Sequence, residues 1–259
     1  MQTLRACVFC AAAPTTKEDL FPKWIGRYLG RQRTVSRFGS GGSSGRTAIY
    51  HTFTGMSYAA KAKVVCQGCN GGWMKGLEDA VAPTMKRMFD GYPAIQLPAG
   101  DDITRRALSE WAMKTALMLQ FQGRGSAVPP PVYQDFYASK QPPPHCQIYL
   151  ASHILERMPN GAHSISWDVS AGSPPPAGVV HKGQMYGVTF FVSNVVLQVI
   201  GLYPLPPRGV GLDIKFPQTF AGYVQRLWPA GYPVAWPFTP SLSDAQLVRF
   251  GTELTKIRH

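Results

Sequence analysis

The sequence predicts an α+β protein: a small metal-binding α+β unit over residues 1–95 and a mixed α+β companion region over residues 96–259, with a soft boundary. Two observations support this prediction. Two cysteine pairs lie among short helix-like and strand-like stretches in the first part, and a long helix followed by β-branched runs fills the second. At 259 residues the chain can form one large domain or two smaller ones.

The first elements are a basic helix and a loop. Pro22 suits the first turn of a helix that ends near Arg31. A basic stripe recurs every four residues along this helix at Lys23, Arg27 and Arg31. The Gly/Ser-rich stretch at residues 38–46 predicts a flexible loop.

Two strands and a second helix complete the first unit. Residues 47–53 and 60–66 have the composition of strands. The second cysteine pair then opens a helix that places Trp73 and Leu77 on one face. We expect Pro83 to interrupt or restart that helix, because proline cannot donate the helical hydrogen bond.

The second region opens on the clearest helix of the sequence, residues 101–123, which starts at an aspartate pair and ends at Gly123. From Trp111 to Phe121 it is apolar nearly all round, so we expect it to be deeply buried. Strand-like runs follow at residues 146–152, 163–169, 186–193 and 195–203, and residues 241–254 predict a final amphipathic helix.

One stretch, residues 186–203, has to be weighed as a membrane span. It is short and β-branched, and Ser193-Asn194 divides it where a hairpin would turn. We therefore predict two buried strands and no membrane partner. Residues 1–14 hold no continuous apolar stretch, so we also expect no signal peptide and a cytoplasmic location.

The net charge favours a polyanionic partner. Lysine and arginine exceed aspartate and glutamate by 26 − 14 = +12. The excess is uneven, with 13 − 5 = +8 in residues 1–90 and 13 − 9 = +4 in residues 91–259. A field of this sign favours nucleic acid, although a solvated basic surface kept for solubility has the same composition.

The cysteine spacing predicts a structural zinc site. Two C-x2-C pairs supply four thiolates, enough for one closed tetrahedral zinc: Cys7, Cys10, Cys66 and Cys69. Two disulfides or a redox pair are the alternative interpretations. The fifth cysteine, Cys146, is expected to be a buried small apolar residue.

A zinc that joins the two pairs would also bring three oxygen-bearing side chains together. Residues 15–20 would lie close to Asn70, so Glu18, Asp19 and Asn70 would become neighbours. Hard oxygen donors suit Mg²⁺ or Mn²⁺, and a divalent ion beside a basic surface suits phosphodiester cleavage. The alternative is that the two acids lie in a loop before a helix and interact favourably with its dipole.

Two sequence blocks carry a resemblance to a known family. They are "CVFC…TTKEDLFPKWI" and "VVCQGCNGGWMKGLE". Together they resemble the zinc-binding branch of the HNH (His-Asn-His) endonucleases, the ββα-metal or His-Me finger group found in bacteria and phages. The similarity covers about residues 7–80. It implies a zinc-stapled ββα-metal fold in the N-terminal unit and metal-dependent hydrolysis of DNA.

The resemblance also implies roles for individual residues. The four cysteines match the zinc ligands, Glu18 matches the acid that ligates the catalytic ion, and Asn70 matches its second ligand. Asp19 stands where the family carries the general-base histidine. The middle asparagine of the family name is absent, and Lys61 and Lys63 occupy that stretch.

The aspartate changes the expected chemistry. Unperturbed aspartate binds a proton more weakly than histidine by about 3.5 kcal/mol, which slows general-base catalysis without forbidding it. Asp19 could instead become a further metal ligand. His51 is then the nearest histidine that could act as base, although a lone strand histidine is more often a packed or exposed residue.

The basic side chains are the expected phosphate contacts, positioning the nucleic acid without reading its sequence. They are Lys23, Arg27, Arg31, Arg33, Arg37, Lys61 and Lys63. Trp24, Tyr28 and Trp73 could stack on bases, although we expect the two tryptophans to pack in the core.

The leading functional hypothesis is an HNH-like, metal-dependent endonuclease that acts on DNA rather than RNA. Its expected cofactors are a structural Zn²⁺ and a catalytic Mg²⁺ or Mn²⁺. The first alternative is a zinc-stapled nucleic-acid-binding protein with a degenerate, inactive site. The second is a protein-interaction scaffold whose basic surface is incidental.

Overall fold

The computed structural model describes most of the chain. The described residues are 5–30, 35–44, 47–56, 60–91, 95–100, 102–122, 127–143, 145–156, 160–172, 180–203, 218–237 and 239–252. Helices and sheets are both present, so the predicted α+β class is confirmed.

Seven α-helices lie in these ranges: α1 (Lys23–Tyr28), α2 (Gln67–Cys69), α3 (Lys75–Phe89), α4 (Ile103–Leu119), α5 (Pro131–Ser139), α6 (Gln218–Ala221) and α7 (Asp244–Thr252). A π-helical turn, Asn70–Met74, joins α2 to α3, and a 3₁₀ turn, Gln120–Gln122, follows α4.

Eleven strands form three sheets in the described residues. They are β1 (Thr15–Asp19), β2 (Val35–Ser44), β3 (Thr47–Met56), β4 (Lys61–Cys66), β5 (Ile95–Leu97), β6 (Gln147–Ser152), β7 (Asn160–Gly172), β8 (Val180–Val192), β9 (Val195–Tyr203), β10 (Val224–Trp228) and β11 (Val234–Trp236). The large sheet has the order β10-β6-β9-β8-β7-β2-β3, while β1 pairs with β4 and β5 with β11. Within the large sheet β2 and β7 are parallel, and the other neighbouring strands are antiparallel.

The antiparallel pair β1–β4 positions the cysteines. Thr15 lies opposite Cys66, and Asp19 lies opposite Lys61. At the end of β4 the chain passes directly into α2, the π-helical turn and α3. The second cysteine pair therefore lies at the junction between the β1–β4 pair and the helical segment that follows it.

Helix α4 is confirmed where local signals predicted it. The Asp102 side chain caps its N-terminus by accepting hydrogen bonds from the backbone N–H groups of Thr104 (3.0 Å) and Arg105 (2.9 Å). Every residue from Trp111 to Leu119 is buried, because α4 packs between α3 and the large sheet. Gly123 lies outside the described residues.

The prediction of a flexible loop at residues 38–46 is wrong for residues 38–44, which belong to β2. This strand pairs with β3 on one side and β7 on the other. Glycine and serine have little intrinsic strand preference, but strand formation depends more on neighbours than on propensity. Pairing on both sides satisfies the backbone without help from side chains.

The expected interruption at Pro83 is also wrong, since Pro83 lies inside the continuous helix α3. Its ring removes one backbone hydrogen bond, at a cost of about 3 kcal/mol in an unsupported helix. Val81, Met85 and Met88 are buried along the same helix. Their packing against the core offsets that cost.

The stretch at residues 186–203 forms two strands, as predicted. Strands β8 and β9 pair antiparallel through a two-residue turn at Ser193-Asn194, where Ser193 has a φ of 54°. No helix in the described part of the chain is long and apolar enough to cross a membrane.

Residues from both sides of position 95 contribute to one hydrophobic core. Phe21 contacts Phe190 with ring centroids 6.4 Å apart, and Trp111 contacts the same ring at 5.9 Å. The two predicted regions therefore share packing surface, and the boundary near residue 95 stays a prediction. Helix α5, which follows a proline cluster, was not predicted.

Candidate metal centre and the acidic strand beside it

The four cysteines of the two pairs form one cluster. The sulfur atoms of Cys7, Cys10, Cys66 and Cys69 all lie within 4.8 Å of one another. The Sγ of Cys10 is 3.5 Å from the Sγ of Cys66 and 3.5 Å from that of Cys69. A tetrahedral zinc with bonds of about 2.3 Å places its sulfurs about 3.8 Å apart. The donor set and spacing therefore fit a single metal ion, which confirms the predicted grouping.

Local hydrogen bonds shape both cysteine turns. In the first, the Cys7 N–H donates to the Ala12 carbonyl (2.8 Å) and the Ala11 N–H to the Cys7 carbonyl (2.9 Å). In the second, the Cys69 N–H donates to the Cys66 sulfur at 3.4 Å. The turns meet because the Val8 N–H donates to the Val64 carbonyl on β4 (2.9 Å).

Aromatic residues pack beside the two cysteine turns. Trp73 contacts Phe9 edge to face at 5.2 Å and Phe136 of α5 at 5.8 Å. Three of the cysteines are buried, and all five cysteines of the chain are free. A metal bound by all four sulfurs would keep no open position, and it would join distant segments of the chain.

The two acids of β1 have different surroundings. Glu18 is buried, whereas the Asp19 carboxylate lies 3.3 Å from the ammonium of Lys61 and 3.6 Å from that of Lys23. Adjacent strand residues point to opposite faces, which explains the difference. Asp19 therefore joins the start of α1 to the start of β4. The acids lie on a strand, not in a loop before a helix.

Asn70 bridges from the second cysteine turn to β1. Its Nδ2 donates to the Thr16 hydroxyl at 3.2 Å and to the Lys17 carbonyl at 3.4 Å. These two bonds hold the amide with its nitrogen toward the strand that carries Glu18. The side-chain oxygen, which is the metal-binding atom of asparagine, is left available.

A buried ion pair behind β1 was not predicted. The Lys114 ammonium of α4 is completely buried and lies 2.6 Å from a carboxylate oxygen of Glu78 on α3. Burial raises the pKa of the Glu18 carboxyl to about 7, while Lys114 acts to lower it and Glu78 to raise it further. Lys114 is a single charge within an apolar run, and that is the signal from which a buried pair could have been predicted.

The raised pKa of Glu18 predicts a pH-dependent stability. Between about pH 4.5 and pH 7 the folded chain holds a proton that the unfolded chain releases, so the free energy of unfolding falls as pH rises. Glu18→Gln should remove this loss and stabilise the protein by about 1–3 kcal/mol at pH 8. Urea unfolding at pH 5 and pH 8, without added divalent ions, measures the difference in free energy of unfolding between the wild type and Glu18→Gln.

The control is Asp79→Asn, which changes an exposed acid of α3. We expect it to leave the pH dependence of unfolding as in the wild type. Equal slopes of stability against pH for wild type and Glu18→Gln would contradict the raised pKa.

The predicted phosphate contacts are only partly described. Lys23, Arg27 and Lys61 are exposed, and Lys63 is half-buried. Of the others, Arg37 lies on β2, of which only the backbone is described, and Arg31 and Arg33 lie outside the described residues. Only the backbone is described for β3 as well, which carries the candidate base His51. Trp24 and Trp73 pack against the core, as predicted.

Fold and site together define an α+β protein with a cluster of four cysteines that can hold a metal ion, next to the strand that carries Glu18 and Asp19. No family model, curated protein or solved structure matches the chain.

Proposed function

We propose that the chain is an HNH-like, metal-dependent endonuclease that cleaves DNA, with a structural zinc held by the four cysteines. One observation carries this proposal. Asn70, directly after the last cysteine, is hydrogen-bonded to the strand that bears Glu18 and Asp19. The pairing of β1 with β4, and the helical segment that follows β4, support the ββα-metal unit that the resemblance implies.

Glu18 and Asn70 would hold a Mg²⁺ or Mn²⁺ ion. The carboxylate and the amide oxygen are hard donors, which suit these ions. A cation there would compensate the burial of Glu18, which by itself raises the pKa of that carboxyl. When bound, the ion would stabilise negative charge on the phosphate and on the leaving oxygen.

Side chains of the protein would carry the remaining catalytic and structural roles. Asp19 would accept a proton from the attacking water. Lys23 and Lys61 hold its carboxylate in place, and both are exposed enough to contact the phosphate backbone. The four cysteines would keep β1 and the Asn70 turn in register.

A cleavage assay with plasmid and single-stranded DNA tests the proposal, with Mg²⁺, with Mn²⁺ and with no added ion. We expect cutting by the wild type with an added ion and a loss of about 100-fold or more in Glu18→Gln, because a metal contributes several kcal/mol to transition-state stabilisation. Asp79→Asn, which changes an exposed acid of α3, is the matched control and should retain activity. Asp19→His should raise the rate by restoring a better base.

The ion pairs of Asp19 favour a second candidate, a zinc-stapled nucleic-acid-binding protein without cleavage. Two lysines already neutralise the residue at the general-base position. DNA binding without cutting in every metal, including in Asp19→His, would support this candidate. Absence of any salt-dependent binding to nucleic acid would contradict both.

A further inference from the structure

An aromatic and basic surface lies where α1 meets the last turns of α3. We call it the aromatic–basic face and define it by Trp24, Tyr28, Lys86 and Phe89. The ring centroid of Phe89 is 6.2 Å from that of Trp24 and 6.4 Å from that of Tyr28. The Lys86 ammonium lies over both neighbouring rings, 5.9 Å from the Trp24 centroid and 5.4 Å from the Tyr28 centroid.

The face presents a fixed ring to solvent. Tyr28 is 39% exposed, although its ring packs against that of Phe89. Its hydroxyl donates to a carboxylate oxygen of Asp90 at 2.6 Å, and this bond holds the ring in place. An exposed aromatic ring with a fixed orientation loses little conformational entropy when a flat ligand stacks on it.

The charges around the face suit a phosphate backbone. Lys23, Arg27 and Arg87 are exposed on the same two helices, and Lys86 is half-buried between the rings. Lysine has a flexible stem, so a base that stacks on Tyr28 can displace the Lys86 ammonium toward the adjacent phosphate. Alternating aromatic rings and cations are the features by which proteins bind unpaired nucleotides.

We propose that the aromatic–basic face binds single-stranded DNA by stacking an unpaired base on Tyr28. The choice of DNA rests on the proposed function. A paired base hides its flat surface in the duplex, so stacking of this kind selects unpaired strands. The face adjoins the acidic strand, because Lys23 at the start of α1 also pairs with Asp19. A strand bound here is thereby led toward Asp19.

The test measures binding of a labelled oligothymidine, a DNA duplex of equal length and an oligouridine by fluorescence anisotropy. All variants carry Glu18→Gln and no divalent ion is added, so binding is measured without cleavage. We expect Tyr28→Ala to weaken oligothymidine binding about tenfold and to change duplex binding little. Tyr28→Phe keeps the ring but loses the hydroxyl bond to Asp90, so it should bind more weakly than the parent and more tightly than Tyr28→Ala. Lys86→Gln should weaken the salt dependence of oligothymidine binding: the slope of the log binding constant against the log salt concentration should become shallower by about 0.7.

Tyr232→Ala is the matched control, since Tyr232 is 82% exposed and its carbonyl contacts Arg105 of α4. Unchanged oligothymidine binding in Tyr28→Ala would overturn the proposal. So would an equal loss for duplex and single strand, a comparable loss in Tyr232→Ala, preference for oligouridine, or no binding by the parent. Failure of the proposed nuclease is distinguishable: oligothymidine would then be bound through Tyr28 but left uncut in the cleavage assay.

Discussion

Removal of the metal from the cysteine cluster is expected to unfold the N-terminal part of the chain. The cluster brings Cys7 and Cys10 next to Cys66 and Cys69, so a metal bound there would close a large loop. Structural zinc contributes about 10–16 kcal/mol in small zinc-binding units, which matches or exceeds the 5–15 kcal/mol of a typical domain. Cys69→Ser should therefore abolish the folding transition or lower its midpoint by tens of degrees.

Metal analysis and thermal unfolding check this expectation. The wild type should contain one zinc per chain, and a strong chelator should convert its unfolding curve to that of Cys69→Ser. Cys146→Ala is the matched control because Cys146 is a buried cysteine outside the cluster. It should keep its zinc and lose about 1–2 kcal/mol. A metal-free wild type whose melting is insensitive to chelator would contradict a structural metal site.

Replacement of Lys114 by methionine is expected to destabilise the fold by about 3–5 kcal/mol. The ammonium is completely buried and lies 2.6 Å from Glu78, and its charge also acts on Glu18. Breaking a buried pair from one side leaves an uncompensated charge in a medium that solvates it poorly. Urea unfolding at pH 8, above the raised pKa of about 7 of the neighbouring Glu18, should show the effect.

An exposed ion pair on α3, the helix that carries Glu78, provides the comparison. Lys75 and Asp79 form an ion pair at 2.7 Å with both side chains more than 60% exposed. Lys75→Met should cost under about 1 kcal/mol. The double variant Lys114→Met with Glu78→Gln should recover part of the lost stability, since it removes the unpaired charge. Equal losses in the free energy of unfolding for Lys114→Met and Lys75→Met would mean that the buried pair stabilises the fold no more than the exposed pair does.

Helix boundaries and strand runs were predictable where the signal was local. The Asp102 cap and the apolar run after it defined α4, and the Ser193-Asn194 turn separated two strands. Such signals act between residues a few positions apart. The β2 strand was missed because its glycines and serines form a strand only through neighbours on both sides.

In the candidate site, too, some features follow from short sequence spacing and others depend on the tertiary structure. Spacing alone grouped the four cysteines, and the structure brings them within reach of one ion. Which acid would be buried was not predictable from two adjacent letters, Glu18 and Asp19. That depends on the face of β1 that packs against the core, and on a lysine that reaches Glu78 from 36 positions along the chain.

The sequence by itself determined which four cysteines group together, their pairing into two turns and the start of the main helix. Each of these depends on residue type and short spacing. Tertiary packing alone decided that Lys114 is buried beside Glu78, and that Tyr28 and Asp90, 62 positions apart, complete one surface. Contacts over such distances arise from how helices and sheets pack, and no local pattern of residues encodes them.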